Sequence, residues 1–469
     1  MSKSSLKKDN LSIIETIALS VAVIAPTAAM ALNIAIMAET SKFSSPLVFL
    51  FSTIVVGLVA YSIIEFNKHI ASAGSLYTFT KVSLGKNMGF TSGWALLLTY
   101  IAVGAGVMAG FGNFFGNFLA VFGLNINWML ILLVFIIPII LLGTIDTKIC
   151  NRIMLTFEGV SIFLILILTV VILYRVGSTK GFSLIPFKTN GVSMSVIAGT
   201  SVFGFLSFIG FESASSLGEE TKDPKKFIPI AIISAVFVTG LFYLLSSYSQ
   251  VIGFGLDSAS LKALTSSSSP LSDLAGKYVS KSYGTVLILA ASLSFFSGIL
   301  GTATSGARLL FTMSREGLMP KCLSKVHSRY KTPYIALILV IVIMVALIVP
   351  LFKKSGIEVF GYYGTIGSLA ILVSYILTSV GSIVYFTKKK IWGFFHCIIP
   401  ILSIISLIFV LYASIYPIPK FPNNIFPYVV LGWILLGFAL RNIFTKNNNV
   451  EEEITNKELI LQNNSLKVE

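Results

Sequence analysis

The chain has 469 residues, 55% of them hydrophobic and only 11% charged, far from the roughly 25% charged residues of soluble domains. Length alone suggests about three soluble domains, but repeated apolar runs of about 20 residues, each able to cross ~30 Å of hydrocarbon, favour one polytopic bundle and exclude a soluble enzyme. The formal charge of +15 comes from Lys and Arg at segment boundaries, where they set membrane orientation and meet anionic lipid; it does not point to nucleic acid.

Continuous apolar stretches such as 126–143 exclude the dyad alternation of a β-barrel, so helices span the membrane. In chain order, residues 1–10 form a polar tail without a cleavable signal pattern. Span one, 11–38, carries Ala25-Pro26-Thr27-Ala28-Ala29 at its middle, where proline removes a backbone donor and frees a carbonyl one turn earlier. Spans two to four cover 44–67, 86–121 and 127–145. Span three holds Gly104, Gly106, Gly110, Gly112 and Gly116, spaced for close helix contact. Span five, 147–174, sets Glu158 ~16 Å deep. Span six, 193–218, places Gly210 beside Glu212 at a depth similar to that of Pro26. Spans seven to twelve cover 226–254, 278–313, 333–352, 358–386, 391–414 and 425–445, and a polar tail follows. An even count puts both termini on one side. Roughly 24 of the 34 Lys and Arg fall on that side, which makes it the cytoplasm.

Broken backbone inside a spanning run is tolerated only where it faces protein or a water-filled cavity. The breaks in spans one and six lie five spans apart, the spacing of two inverted five-helix repeats whose first helices are both discontinuous. A mid-membrane carboxylate is costly unless protonated, paired or hydrated, and protonation switches it readily. Glu158 and Glu212 are therefore candidates for coupling or gating. Glu15 and Glu65 read as solvated helix ends. Cys150, Cys322 and Cys397 are too scattered for a disulfide framework or a metal cluster. His69, His327 and His396 lack metal-ligand spacing, and no phosphate-binding Gly-rich loop occurs. No cofactor, metal or direct ATP coupling is expected, so the energy must come from gradients or exchange.

The stretch from Phe203 to Pro229, with Gly210-Phe211-Glu212-Ser213-Ala214-Ser215 and Glu219-Glu220-Thr221-Lys222-Asp223-Pro224, resembles helix 6 and the following loop of permeases in the amino acid–polyamine–organocation (APC) superfamily. Gly74-Ser75-Leu76-Tyr77 leading to Gly93-Trp94, Ala303 to Pro320 with Arg308, and Thr332-Pro333 agree with it. By this resemblance the chain is similar to bacterial amino acid permeases. The implied fold is all-α and integral to the membrane, with 12 transmembrane helices in a leucine-transporter-type 5+5 inverted repeat plus two C-terminal helices. The corresponding divisions are a cytoplasmic tail at 1–10, a ten-helix transport core at 11–386, helices 11 and 12 at 387–445, and a cytoplasmic tail at 446–469.

The resemblance implies a secondary active transporter, not an enzyme. It would move an amino acid across the plasma membrane by alternating access, coupled to protons or working by exchange, with the bilayer and the substrate as its partners. Substrate binding would fall on Ala25, Pro26, Thr27, Ala28 and Ala29, where the Thr27, Ala28 and Ala29 amides suit an α-carboxylate, and on Phe208, Ile209 and Gly210, whose carbonyls suit an α-ammonium. Glu158 and Glu212 would serve coupling or gating. The sequence departs from the family at Pro26-Thr27-Ala28, where a Gly-x-Gly-like break is usual. Leu206 replaces an aromatic residue of arginine exchangers, and Glu158 stands where some proton-coupled members carry lysine. A polyamine or inorganic cation importer of the same fold, and an amino acid sensor that does not transport, are the alternatives.

Overall fold

The computed structural model describes residues 6–189, 191–391 and 393–443; the expected tail at 446–469 lies outside them. The first apolar run divides into α1 (Ile13–Ile24) and α2 (Pro26–Ser41), followed by α3 (Ser45–His69), α4 (Leu76–Leu84), α5 (Lys86–Ala120), α6 (Trp128–Thr144) and α7 (Thr147–Lys180). Next come α8 (Met194–Phe208), a 3-10 segment (Phe211–Leu217), α9 (Pro224–Phe254), two short helices α10 (Ser258–Ser266) and α11 (Pro270–Tyr278), and α12 (Lys281–Arg315). The series closes with α13 (Tyr334–Ile348), α14 (Gly356–Lys388), α15 (Phe394–Ile415) and α16 (Asn423–Ile443). Among the described residues the chain forms no strand, only an isolated parallel bridge between Leu11 and Thr221.

Ten helical stretches among the described residues are long and apolar enough to cross a membrane, the first a 57-residue run over Ile13–His69, and Trp128–Thr144 is a shorter apolar helix. Side chains along the outer helices, including Val134 on α6, Phe163 and Val170 on α7, Phe237 on α9 and Leu435 on α16, are exposed. Such a belt of large apolar side chains is what lipid tails solvate.

Polar residues punctuate the apolar helices where orphan amides need acceptors. Asn127 caps α6 through the Met129 amide (2.9 Å), and Asp146 caps α7 through the Lys148 amide (2.9 Å). Ser12 and Glu15 form a capping box at α1, as do Ser355 and Glu358 at α14.

The centre of the bundle is α5, packed between α12 and α14. Its glycines act as the spacing predicted. A Cβ on Gly106 would come within 3.2 Å of the Phe360 carbonyl oxygen, and one on Gly110 within 2.8 Å of the Phe295 ring. Backbone approach this close is available only to residues without a side chain. At the periphery α16 docks on α5 through stacked Trp94 and Trp433, their ring centroids 4.7 Å apart. Each indole donates to the other residue's carbonyl, at 2.7 and 2.9 Å.

Two expectations need correction. Glu15 and Glu65 are not solvated helix ends. Glu15 is fully buried, bonded to Ser12 and paired with Arg152 at 2.7 Å. Glu65 is buried, with Lys68 at 2.6 Å and the His396 ring at 3.5 Å. A second helix reaches each carboxylate, α7 with Arg152 at Glu15 and α15 with His396 at Glu65, which hydropathy along one helix does not register.

Candidate functional site

The first break centres on Ala25, one residue ahead of the proline. Ala25 adopts left-handed backbone (φ 46°, ψ 62°) and ends α1 by donating its amide to the Val21 carbonyl (3.1 Å). Pro26 then opens α2, where a missing N–H costs nothing because first-turn amides lack intrahelical acceptors. The second break follows α8, where Gly210 has φ 111°, a conformation that disfavours any side chain.

The two breaks meet. A Cβ on Gly210 would lie 2.9 Å from the Val23 carbonyl carbon, and a Cβ on Gly301 of α12 would lie 3.1 Å from the Val23 amide nitrogen. The end of α1 is thus wedged between the span-six break and α12. Ser20 of α1 fastens the contact: its hydroxyl donates to the Phe211 carbonyl (2.8 Å) and accepts from the Ala214 amide (3.1 Å). Tyr243 of α9 donates to the Ser207 carbonyl (2.5 Å) and sets its ring edge-on to Phe208. Ala25, Pro26, Thr27, Ala28, Ala29, Phe208, Ile209 and Gly210 are all buried.

Several expected substrate contacts have protein partners in this conformation. The Ala29 amide donates to the Ala25 carbonyl (3.1 Å), and the Gly210 carbonyl accepts from the Ser213 amide (2.9 Å). The Ala28 amide donates to the Ser294 hydroxyl of α12 (3.0 Å), and that hydroxyl donates onward to Glu158 Oε2 (3.0 Å). Thr27, the next residue back along α2, lies against the same carboxylate. Glu158 of α7 therefore reaches the first turn of α2, where partial positive charge from the helix end favours an anion. Glu158 is fully buried; its Oε1 and the neighbouring Thr27 hydroxyl have no hydrogen-bond partner.

Glu212 is equally buried but fully engaged. Its carboxylate accepts from the Tyr100 hydroxyl of α5 (3.1 Å), the Tyr375 hydroxyl of α14 (3.0 Å) and the Gly210 amide (3.1 Å). The two tyrosines are functional candidates that the sequence alone did not single out. Nothing local distinguishes them from other tyrosines in apolar helices.

On the face that carries the N-terminus, Arg308 of α12 forms a buried ion pair with Glu220 (2.9 Å), while Thr147 donates to Glu220 (3.2 Å) and accepts from Arg308 (2.9 Å). Residues 6–12 lie over this cluster. The Asn10 and Leu11 amides donate to the Glu220 carbonyl (2.9 and 3.1 Å), and Lys7 and Asn10 reach Asp146 at 2.6 and 3.2 Å. Burial on its own would raise the Asp146 pKa, but hydrogen bonds from Lys7, the Lys148 amide and Asn10 outweigh it and hold the carboxyl below its usual value.

A polytopic bundle in which two interrupted helices abut deep inside is the architecture of a membrane transport protein. The profile of the family described as amino acid permease matches residues 16–453, so the chain belongs to the amino acid permease family and is a multi-pass membrane protein. It is 29% identical over 298 residues to a methylthioribose transporter of Bacillus subtilis (strain 168), covering 61% of this chain and 63% of that protein. It is 30% identical over 302 residues to the branched-chain amino acid permease BcaP of the same organism, with 59% and 61% covered. To the low-affinity putrescine importer PlaP of Escherichia coli (strain K12) it is 26% identical over 314 residues, with 63% and 65% covered. The matched region thus spans less than two thirds of the length of these relatives.

Proposed function

We propose that this protein is a secondary transporter that carries an amino acid across the plasma membrane by alternating access, driven by protons or by exchange. Twelve spans would be arranged as a ten-helix inverted-repeat core over 11–386 and two peripheral helices over 387–445, with both termini cytoplasmic. The ten long apolar stretches support this count when the 57-residue run is taken as two spans and Trp128–Thr144 as another. The observation that carries the reading is the contact of the two breaks through Val23, Gly210 and Gly301. It brings an amide-rich helix start and a helix end together at one buried point, which suits a group bearing both a carboxylate and an ammonium.

In this reading Ala25 to Ala29 and Phe208 to Gly210 receive the substrate as α1 and the 3-10 segment move. Glu212 gates that motion by tying the 3-10 segment to Tyr100 and Tyr375 on the long helices α5 and α14. Glu158 is the coupling group. The reach of Glu158 to the first turn of α2 favours a second reading, a polyamine or inorganic cation importer, because an acidic side chain at the break attracts a cation directly.

Uptake of labelled amino acids and polyamines into proteoliposomes, with and without an imposed pH gradient, tests both. The amino acid reading expects uptake or counterflow of at least one amino acid. Uptake of putrescine alone would replace that reading with the second.

A further inference from the structure

We propose that Glu158 is a built-in stand-in for the substrate's carboxylate: it occupies the α2 amides between substrates, and an incoming α-carboxylate takes its place. This deepens the amino acid reading above and rests on it.

The geometry carries it in three steps. Of the expected carboxylate donors at the start of α2, the Ala28 amide already serves Glu158 through the Ser294 hydroxyl, at 3.0 and 3.0 Å. Two carboxylates at one buried helix start repel each other strongly, so both cannot sit there ionised. Glu158 has an alternative, because its Oε1 is buried and unpartnered, as is the hydroxyl of Thr27 at the same helix start, and a protonated Glu158 gains a donor for which an unpartnered acceptor of that kind is available.

The exchange balances as one proton. Glu158 leaves the amides as its carboxylate takes a proton from water on the side to which the site is open, forming a neutral acid. The substrate carboxylate then accepts from the freed amides. On the opposite side the substrate departs, the acid O–H releases its proton to water there, and Glu158 returns. Substrate and proton thus move together, and a substrate without a carboxylate carries no proton with it.

The groups around Glu158 leave it as the titrating site. From α9 it faces the Tyr243 hydroxyl, which donates to Ser207. From α2 it faces the Thr27 backbone and from α12 the neutral hydroxyl of Ser294. Glu15 of α1 is paired with Arg152, which lies ~9 Å along α7 from Glu158 by helical rise. Arg308 of α12 is paired with Glu220, ~21 Å along its helix from Ser294.

The test measures proton uptake on ligand binding in weakly buffered detergent solution, using L-leucine and its decarboxylated counterpart isoamylamine as probes. In the wild type, leucine binding should take up close to one proton per site and isoamylamine binding none. Glu158→Gln should bind leucine with no proton uptake and at least tenfold tighter at pH 8 than the wild type. Ser294→Ala, which removes a hydroxyl that holds the ionised Glu158, should move the pH of half-maximal leucine binding upward and supplies the test if Glu158→Gln does not fold. Leucine binding with undiminished proton uptake in Glu158→Gln, or an unmoved midpoint in Ser294→Ala, overturns the stand-in and leaves amino acid transport intact. Wild-type binding of isoamylamine and putrescine with none of leucine or any other amino acid overturns the amino acid reading, and the stand-in with it.

Discussion

Glu158 and Glu212 are two fully buried carboxylates, one beside each helix break, in opposite states of completion. Glu212 accepts three hydrogen bonds from three elements. Glu158 has one oxygen bonded to Ser294 and the other unpartnered. A fully satisfied buried carboxylate is a brace, since each donor around it would be stranded by its removal. A half-satisfied one gives up less when it moves, which suits a group that must change partner during a cycle. Burial does not separate the two; the count of converging donors does.

The largest effect is expected where both features meet. Gly210→Val places a Cβ against Val23 at a φ of 111° and displaces the amide that donates to Glu212. Binding of a transported amino acid should fall by tenfold or more, about 1.4 kcal/mol, as measured by thermal stabilisation or scintillation proximity. Wild-type binding would locate the break elsewhere.

Next is the comparison itself. Glu212→Ala strands two tyrosine hydroxyls and one amide, and should cost on the order of 3 kcal/mol or more in unfolding stability. Glu158→Ala strands one hydroxyl and should cost less than half as much. Equal losses in thermal melts of the two variants would mean that both carboxylates are braces.

A smaller effect concerns the substrate. An amine lacking the α-carboxylate should compete at least tenfold more weakly than the amino acid, forfeiting ~1.4 kcal/mol or more of charge-assisted bonding. Equal competition in an uptake assay would remove the carboxylate from the recognition scheme.

The smallest effect comes from a partly solvated carboxylate in a third setting. Lys7→Ala breaks the pair with Asp146 and should cost under ~1 kcal/mol at neutral pH, because solvent screens the pair. Asp146 has its folded pKa held below the unfolded value. Its contribution is therefore fully present above roughly pH 4 and fades as the pH drops through the lower folded value. Melting temperatures of the variant and wild type should converge in acid and differ slightly at pH 7.

Much of the bundle is legible in the sequence because apolar runs must match the hydrocarbon thickness. The expected spans at 86–121 and 127–145 became Lys86–Ala120 and Trp128–Thr144. The first break is legible from Pro26 and the second from Gly210, since both residues carry a backbone constraint of their own. The exact turning point is not: Ala25, with no such signature, takes the left-handed conformation. Partners are harder still to read. Tyr100 and Tyr375 come from helices remote in sequence, and nothing in their local pattern marks them. Glu15 and Glu65 show the same gap, since burial at a helix end depends on what packs over it.

The reciprocal pair of Trp94 and Trp433 has an optical consequence. Two indoles stacked 4.7 Å apart and inclined by 13°, among the four tryptophans of the chain, are close enough to couple their ultraviolet transitions, which gives the stack a dichroism signal of its own. That signal exists only while the last helix is seated on α5, so the protein carries its own unlabelled spectroscopic gauge of whether its periphery stays fixed while its centre moves.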